Sequence, residues 1–132
     1  MKALVDTHVL LWLVDEGSQS RIPARTMRVL LDASNDLVIS AITPWEISLK
    51  HWLGKLPEAG ALLAAWPMAV ERLRATVLPL TDTQGIEAGR LDWAHKDPFD
   101  RMLATQAILE NAALVSADSA FDAVTGLRRI WD

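Results

Sequence analysis

Four acidic residues fall at the ends of apolar or patterned segments, where carboxylates from distant parts of the chain could share one site. Asp6 interrupts the apolar stretches Ala3 to Val5 and Val9 to Val14, and Glu46 lies six residues beyond the run Asp36 to Ser40. Asp100 opens a patterned segment that begins at Pro98, and Asp118 follows the run Ala113 to Ser116. A carboxylate at the end of an apolar run costs free energy unless it is paired, hydrogen-bonded or bound to a cation. The chain has no cysteine, which excludes disulfide scaffolds, thiolate zinc sites, thiol nucleophiles and iron-sulfur ligation. Any metal must therefore bind through oxygen or histidine. Hard divalent cations such as Mg²⁺ or Mn²⁺ take oxygen ligands and keep several waters, so a few carboxylates suffice to hold them. Such ions serve phosphodiester cleavage by activating a water and stabilising the leaving oxygen.

Sequence-distant acids can share a site only if the fold brings them to one place. Short apolar runs at Lys2 to Val5, Asp36 to Ser40, Ala75 to Leu80, Ala113 to Ser116 and Leu127 to Trp131 read as strands. They are rich in Val, Ile and Leu without clean alternation, as expected of strands covered on both faces. Helical periodicity marks Pro23 to Ala33, Thr43 to Leu53 and Pro98 to Asn111, and less sharply Ala59 to Leu73 and Thr83 to Leu91. Strands separated by helices imply an α/β domain with a mostly parallel sheet, whose ligands sit beyond the carboxyl ends of the strands. Asp6, Glu46, Asp100 and Asp118 all fall on that side. No linker, repeat or low-complexity tract divides the 132 residues, so residues 1–132 are expected to form a single domain.

The net charge of −4, from 13 Lys+Arg against 17 Asp+Glu, argues against a protein that coats nucleic acid by bulk charge. Without the four candidate acids, 13 acids balance 13 bases, so the acidic excess equals the proposed site. Bound divalent cations would cancel much of it where a polyanion must approach. The apolar run Val9 to Val14 is too short for a secretory signal, and Ala59 to Val70, free of charged residues, falls well short of the roughly 20 residues that span a bilayer. The expectation is a soluble cytoplasmic protein with no membrane partner.

Each acid also has a plain structural reading. Thr43-Pro44-Trp45-Glu46 fits a capping box, with Thr43 as N-cap, Pro44 at the first helical position and Glu46 reaching back. Glu46 and Lys50 are spaced for an i, i+4 pair. Asp97 can cap the helix that Pro98 opens while Asp100 complements its dipole. Asp118 can cap a short turn through Phe121, and Asp6 can cap the helix that follows it. Four acids at equivalent topological positions weigh more than any one of them.

Taken together, three segments resemble the PIN-domain ribonucleases, in particular the toxins of VapBC-type toxin-antitoxin pairs. They are the opening MKALVDTHVLLWLV, the stretch SAITPWEISLKHWLGKL at 40–56 and HKDPFDRMLATQA at 95–107, followed by LVSADSAF and the terminal RIW. The resemblance covers nearly the whole chain. It implies a three-layer α/β/α sandwich with a sheet of about five strands, and a Mg²⁺- or Mn²⁺-dependent endoribonuclease that hydrolyses RNA by in-line attack of a metal-activated water. It further implies an antitoxin partner whose C-terminal segment covers the active-site groove, and a second copy of the toxin in a homodimer. Carried over, Asp6, Glu46, Asp100 and Asp118 are the catalytic and metal-binding acids. Thr7 and Ser40 match small hydroxyl positions that help to place the acids or the water, Ser116 stands where relatives often carry Thr, and Asp97 is an extra acid at the rim. The family's His-His doublet is reduced here to Ala94-His95.

The remaining polar and aromatic residues are less specific. His95 reads as a solvated loop residue with RNA contact as the alternative; His8 reads as packing and His51 as surface. Arg101 invites either phosphate clamping or an ion pair orienting Asp97 or Asp100. Arg21, Arg25, Arg28 and Lys50 are candidates for an RNA path. Of the six Trp, Trp45, Trp93 and Trp131 are expected in or near the core, and Trp52 and Trp66 on an apolar surface that meets a partner. The competing class is a catalytically silent PIN-like or phosphoryl- or cation-binding regulatory module. A phosphorylated receiver would want paired acids after the first strand and a Lys after the last, whereas Asp6 stands alone and Arg128-Arg129 lies inside the final segment.

Overall fold

Alternating side chains along the central strands supply two separate apolar faces, and each is covered by helices. The computed structural model describes Met1 to Asp132. The strands β1 (Lys2–Val5), β2 (Asp36–Ser40), β3 (Thr76–Leu78), β4 (Ala113–Val115) and β5 (Arg129–Ile130) form one sheet in the order β3-β2-β1-β4-β5, with every pairing parallel. The helices are α1 (Thr7–Val14), α2 (Ala24–Leu31), α3 (Ile42–Trp52), α4 (Gly60–Ala64), α5 (Trp66–Arg72), α6 (Asp82–Arg90) and α7 (Pro98–Leu109). Ala3 and Val5 of β1, Leu37 and Ile39 of β2 and Val115 of β4 pack with Val9, Leu10 and Leu13 of α1 and Ile47 of α3. The intervening residues Leu4, Val38 and Leu114 face the other way, onto Phe99, Leu103, Ala104 and Ala107 of α7. This is the three-layer α/β/α sandwich expected from the sequence.

The sheet reverses its direction of growth between β1 and β4, since β2 lies on one side of β1 and β4 on the other. Such a switch point opens a crevice at the carboxyl ends of the strands. Asp6 leaves β1 there, and its N–H extends the ladder to the Val115 carbonyl at 3.1 Å.

Several elements differ from the sequence expectation. The outer strands are shorter than the runs that suggested them, with three residues in β3 and two in β5, and neither is buried like β1 and β4. They are edges, covered on fewer sides than the central strands. The segment 59–73 is not one helix: Pro67 lacks an N–H and its ring clashes with the preceding turn, so α4 ends at Ala64 and α5 restarts with Pro67 in its first turn. The capping box also lies elsewhere. α3 begins at Ile42, whose N–H donates to Ser40 Oγ at 3.1 Å, so Thr43 is already inside the helix. The reciprocal box is formed by Thr81 and Gln84 at the start of α6, where Gln84 N–H donates to Thr81 Oγ1 at 3.1 Å and Thr81 N–H to Gln84 Oε1 at 3.2 Å. Trp45 is not a core residue: it is 58% exposed and meets Phe99 edge-on. Trp66, expected at the surface, is half-buried against the α1 side of the core.

The shift of the cap reverses an expectation about stability. Thr81→Ala should cost about 1 kcal/mol through loss of a helix cap. Thr43 is fully buried with its hydroxyl unpartnered, so Thr43→Val should be neutral or stabilising. Urea denaturation of the two variants checks both.

Candidate active site

Asp6 is at once a helix cap and a buried carboxylate. It is the N-cap of α1, with Oδ1 accepting the Val9 N–H at 2.9 Å, and at 7% exposure it is a buried carboxylate at the switch point. Burial raises its pKa; the neighbouring Ser116 hydroxyl, the Val9 N–H and His8 oppose that rise, and the nearby Glu46 adds to it. Asp6 thus bears a net penalty for being charged that its hydrogen bonds do not remove.

Glu46 lies in the second turn of α3 and is 4% exposed. The early start of the helix at Ile42 turns it into the protein instead of back towards the cap. Thr7 Oγ1 donates to Glu46 Oε1, and Lys50 Nζ, one helical turn on, donates to Oε2. The i, i+4 pairing anticipated from the sequence is therefore present, but on a buried acid where the ammonium matters far more than on a solvated face.

The third acid comes from α7. Asp97 is its N-cap, with Oδ1 accepting the N–H groups of Phe99 at 2.8 Å and Asp100 at 3.1 Å. Asp100 Oδ2 lies 2.7 Å from His95 Nε2. Burial raises the Asp100 pKa, His95 opposes the rise, and Asp97 and Glu46 add to it. Asp6, Glu46, Asp97 and Asp100 are thus close enough for each carboxylate to feel another's charge, although they come from a strand end and two helices.

The structure separates the other candidates. Asp118 is exposed, caps the 3₁₀ turn Ser119–Ala123 through the Ala120 N–H at 2.9 Å, and stands at the rim. Its own N–H donates to Ser116 Oγ at 3.1 Å, which links it to the loop behind Asp6. Ser40, Ser116 and Thr7 are all buried, and each hydroxyl supports a turn or an acid: Ser40 the start of α3, Ser116 the Asp118 turn, Thr7 the Glu46 carboxylate. Arg101 forms no ion pair with Asp97 or Asp100; its guanidinium is taken up by backbone carbonyls. The basic residues proposed as a path are dispersed. Arg21 stands 5.8 Å from the Trp12 ring centre, Arg25 and Arg28 are exposed on α2, and Lys50 is committed to Glu46. Sequence reasoning missed His95 as a partner of Asp100, and its i, i−5 spacing across a helix start carries no motif signal.

These donors suit a hard divalent ion: they are all oxygens, and burial and mutual repulsion already disfavour their charges, which a cation relieves. They do not form a finished chelate. No three His, Asp or Glu side chains are arranged to hold an ion, because Glu46 is turned to Thr7 and Lys50, Asp100 to His95 and Asp118 to its turn.

The fold is an α/β domain with an all-parallel sheet and two acids, Asp6 and Glu46, buried at its carboxyl edge. The chain belongs to the PIN domain family, whose model matches residues 3–127. Among solved structures it is similar to VapBC2 from Rickettsia felis bound to a DNA fragment from its promoter, at 18% identity over 100% of both chains and a TM-score of 0.68. It is also similar to VapBC-1 from nontypeable Haemophilus influenzae, at 23% identity over 98% of this chain and 97% of that one, with a TM-score of 0.68. DNA-bound VapBC from Salmonella typhimurium gives 20% identity, 98% and 97% coverage and a TM-score of 0.67. At these identities the likeness is one of fold. No curated protein matches the chain in sequence.

The raised carboxyl groups have a thermodynamic consequence. A folded chain that holds the Asp6 and Asp100 protons more tightly than the unfolded chain gains stability from them at low pH, and loses it as pH rises through their raised values. At neutral pH without divalent ions their charges are therefore a net cost. Asp6→Asn keeps an N-capping oxygen but removes a charge, so in EDTA its Tm at pH 7 should equal or exceed that of the wild type. Mn²⁺ should raise the wild-type Tm and leave that of Asp6→Asn nearly unchanged, as differential scanning fluorimetry can measure.

Proposed function

We propose that this chain is a VapC-like toxin of a toxin-antitoxin pair, a Mg²⁺- or Mn²⁺-dependent endoribonuclease acting in the cytoplasm. The observation that carries the reading is the buried Asp6 at the switch point, with Glu46 close enough to raise the cost of charge on both Asp6 and Asp100. Membership of the PIN family, whose domains are generally nucleases, supports the hydrolytic class. The likeness to VapBC complexes supports a protein partner of the antitoxin kind.

In this reading Asp6, Glu46 and Asp100 hold the ion, and Asp118 reaches the same crevice from the rim. When bound, the ion supplies a nucleophilic water at neutral pH and neutralises charge at the scissile phosphate. Thr7 fixes one oxygen of Glu46. Lys50, paired with Glu46 one helical turn away, would place a second cation beside the ion's ligands. Ser116 and the Val9 N–H hold Asp6 in place. Hydrolysis by in-line attack leaves a 5′-phosphate and a 3′-hydroxyl. The partner surface we assign is a groove of about 1000 Å³ between α1 and the α4–α5 pair, where Leu11, Trp12, Leu62 and Met68 offer apolar contacts between Glu58 and Arg72. A second copy of the chain is the other partner.

Purified protein incubated with total RNA should cleave it in Mg²⁺ or Mn²⁺ and not in EDTA. Asp6→Asn should lower the rate by about 100-fold or more, the scale of losing one group that stabilises transition-state charge. Expression of the wild type without its antitoxin should arrest bacterial growth, and Asp6→Asn should not. Cleavage that persists in EDTA, or equal arrest by both forms, would sink the metal-carboxylate reading. Binding of Mn²⁺ without any cleavage would favour the silent cation-binding module instead, a reading to which the Glu46–Lys50 pair lends some support.

A further inference from the structure

Arg101 lies in α7 directly after Asp100, and all five of its N–H donors are used. Nε donates to the Ala88 carbonyl at 3.1 Å, Nη1 to Trp93 at 2.7 Å and His95 at 2.9 Å, and Nη2 to Gly89 at 3.3 Å and Leu91 at 2.6 Å. A half-buried guanidinium with no carboxylate partner and five carbonyls around it has nothing left for a phosphate. What it does instead is join the last turn of α6, through Ala88 and Gly89, to the chain between α6 and α7, through Leu91, Trp93 and His95. That segment has no regular structure of its own to hold it. The fork geometry is specific to Arg, because a Lys ammonium has three donors at one point and cannot reach carbonyls spread along the eight residues from Ala88 to His95.

The last carbonyl in the set belongs to His95, the residue whose imidazole meets Asp100 Oδ2. The ring is held from the other side by Trp93, 4.7 Å away between centroids, which in turn packs 5.4 Å from the buried Phe121. One oxygen of Asp100 is therefore engaged, and Oδ1 accepts no hydrogen bond within the chain. Carboxylates that bind metals are commonly oriented by just such an outer hydrogen bond, whose loss costs about 10- to 100-fold in metal affinity.

We propose that Arg101 and His95 are positioning residues for Asp100: Arg101 ties the last turn of α6 to the loop 91–95, and the loop sets His95 against Oδ2 so that Oδ1 is left for a divalent cation. The geometric half of this inference stands alone, whereas its consequence for catalysis rests on the nuclease reading above.

The test uses the full chain and Mn²⁺ alone as probe. The chain has three histidines, so the His95 ring signal in a heteronuclear NMR spectrum is assigned by its disappearance in His95→Gln. Arg101→Lys should move that signal, at fixed pH and without metal, to the position it takes in Asp100→Asn. The same variant should weaken Mn²⁺ binding by about 10-fold or more, measured by calorimetry. His95→Ala should weaken it similarly, and His95→Gln, whose amide can still donate to Asp100, should recover most of the loss. In RNA cleavage at saturating Mn²⁺, kcat should fall while KM changes little.

A His95 signal in Arg101→Lys identical to the wild type overturns the relay. A signal that moves with no change in Mn²⁺ affinity reduces Arg101 to a stabiliser of the loop and also overturns it. Should Arg101→Lys fail to fold, the His95 variants decide, since wild-type Mn²⁺ affinity in His95→Ala overturns the proposal. If the wild type binds Mn²⁺ with this dependence on Arg101 and His95 but cuts no RNA, the nuclease reading fails and the positioning role stands.

Discussion

The rest of the site depends on one unfavourable placement, the carboxylate of Asp6 buried at the end of the central strand. A charge there must be compensated from several directions. Main-chain donation from Val9 comes with the start of α1, the Ser116 hydroxyl comes with the end of β4, and neither suffices to return the group to its ordinary pKa. The sheet order fixes these neighbours, because only β4 lies beside β1 on that side. Asp6 is thus both a product of the fold and a constraint on it: α1 begins where it does because the residue after β1 can cap it, and the same residue leaves an electrostatic deficit at the mouth of the crevice.

The other acids show how a protein keeps several carboxylates together without an ion. Glu46 is satisfied by a lysine one turn along its own helix and by a threonine from α1, and Asp100 by a histidine from the preceding loop. Each arrangement is internal to the chain. The cost of holding like charges close is spread over Lys50, Thr7, His95 and the helix start at Pro98.

Much of this was readable from residue order. The central strands β1 and β2 have the bounds that their apolar runs suggest, and the acids fall at strand and helix ends because an α/β chain returns to the same sheet edge after every crossover. Capping grammar identified Asp97 and Asp118 as N-caps, and for Asp6 the capping and buried-acid readings are both true at once. It misled at Thr43, since Ser40 Oγ captures the Ile42 N–H and starts α3 before the apparent box. That single contact could not be read from spacing, and it decides where Glu46 points. Arg101 was misread for a related reason: sequence shows which charges are near one another along the chain, but not the unpaired carbonyls of an irregular loop. The edge strands β3 and β5 are shorter than their apolar runs because an apolar run does not show which strands lie at the sheet's borders, where Val77 and Leu80 are exposed and only one side offers ladder partners.

The shortness of those edges matters for association. A parallel sheet is bounded by two strands whose outer N–H and C=O groups are open to pairing, and long flat edges invite other chains to add to them. Here one border offers three residues and the other two. A foreign strand would find too few backbone partners to bind by sheet extension. Recognition by another protein is thereby directed to side chains on the helical layers, where shape and charge can discriminate, and away from the generic hydrogen-bonding of a β-edge, which cannot.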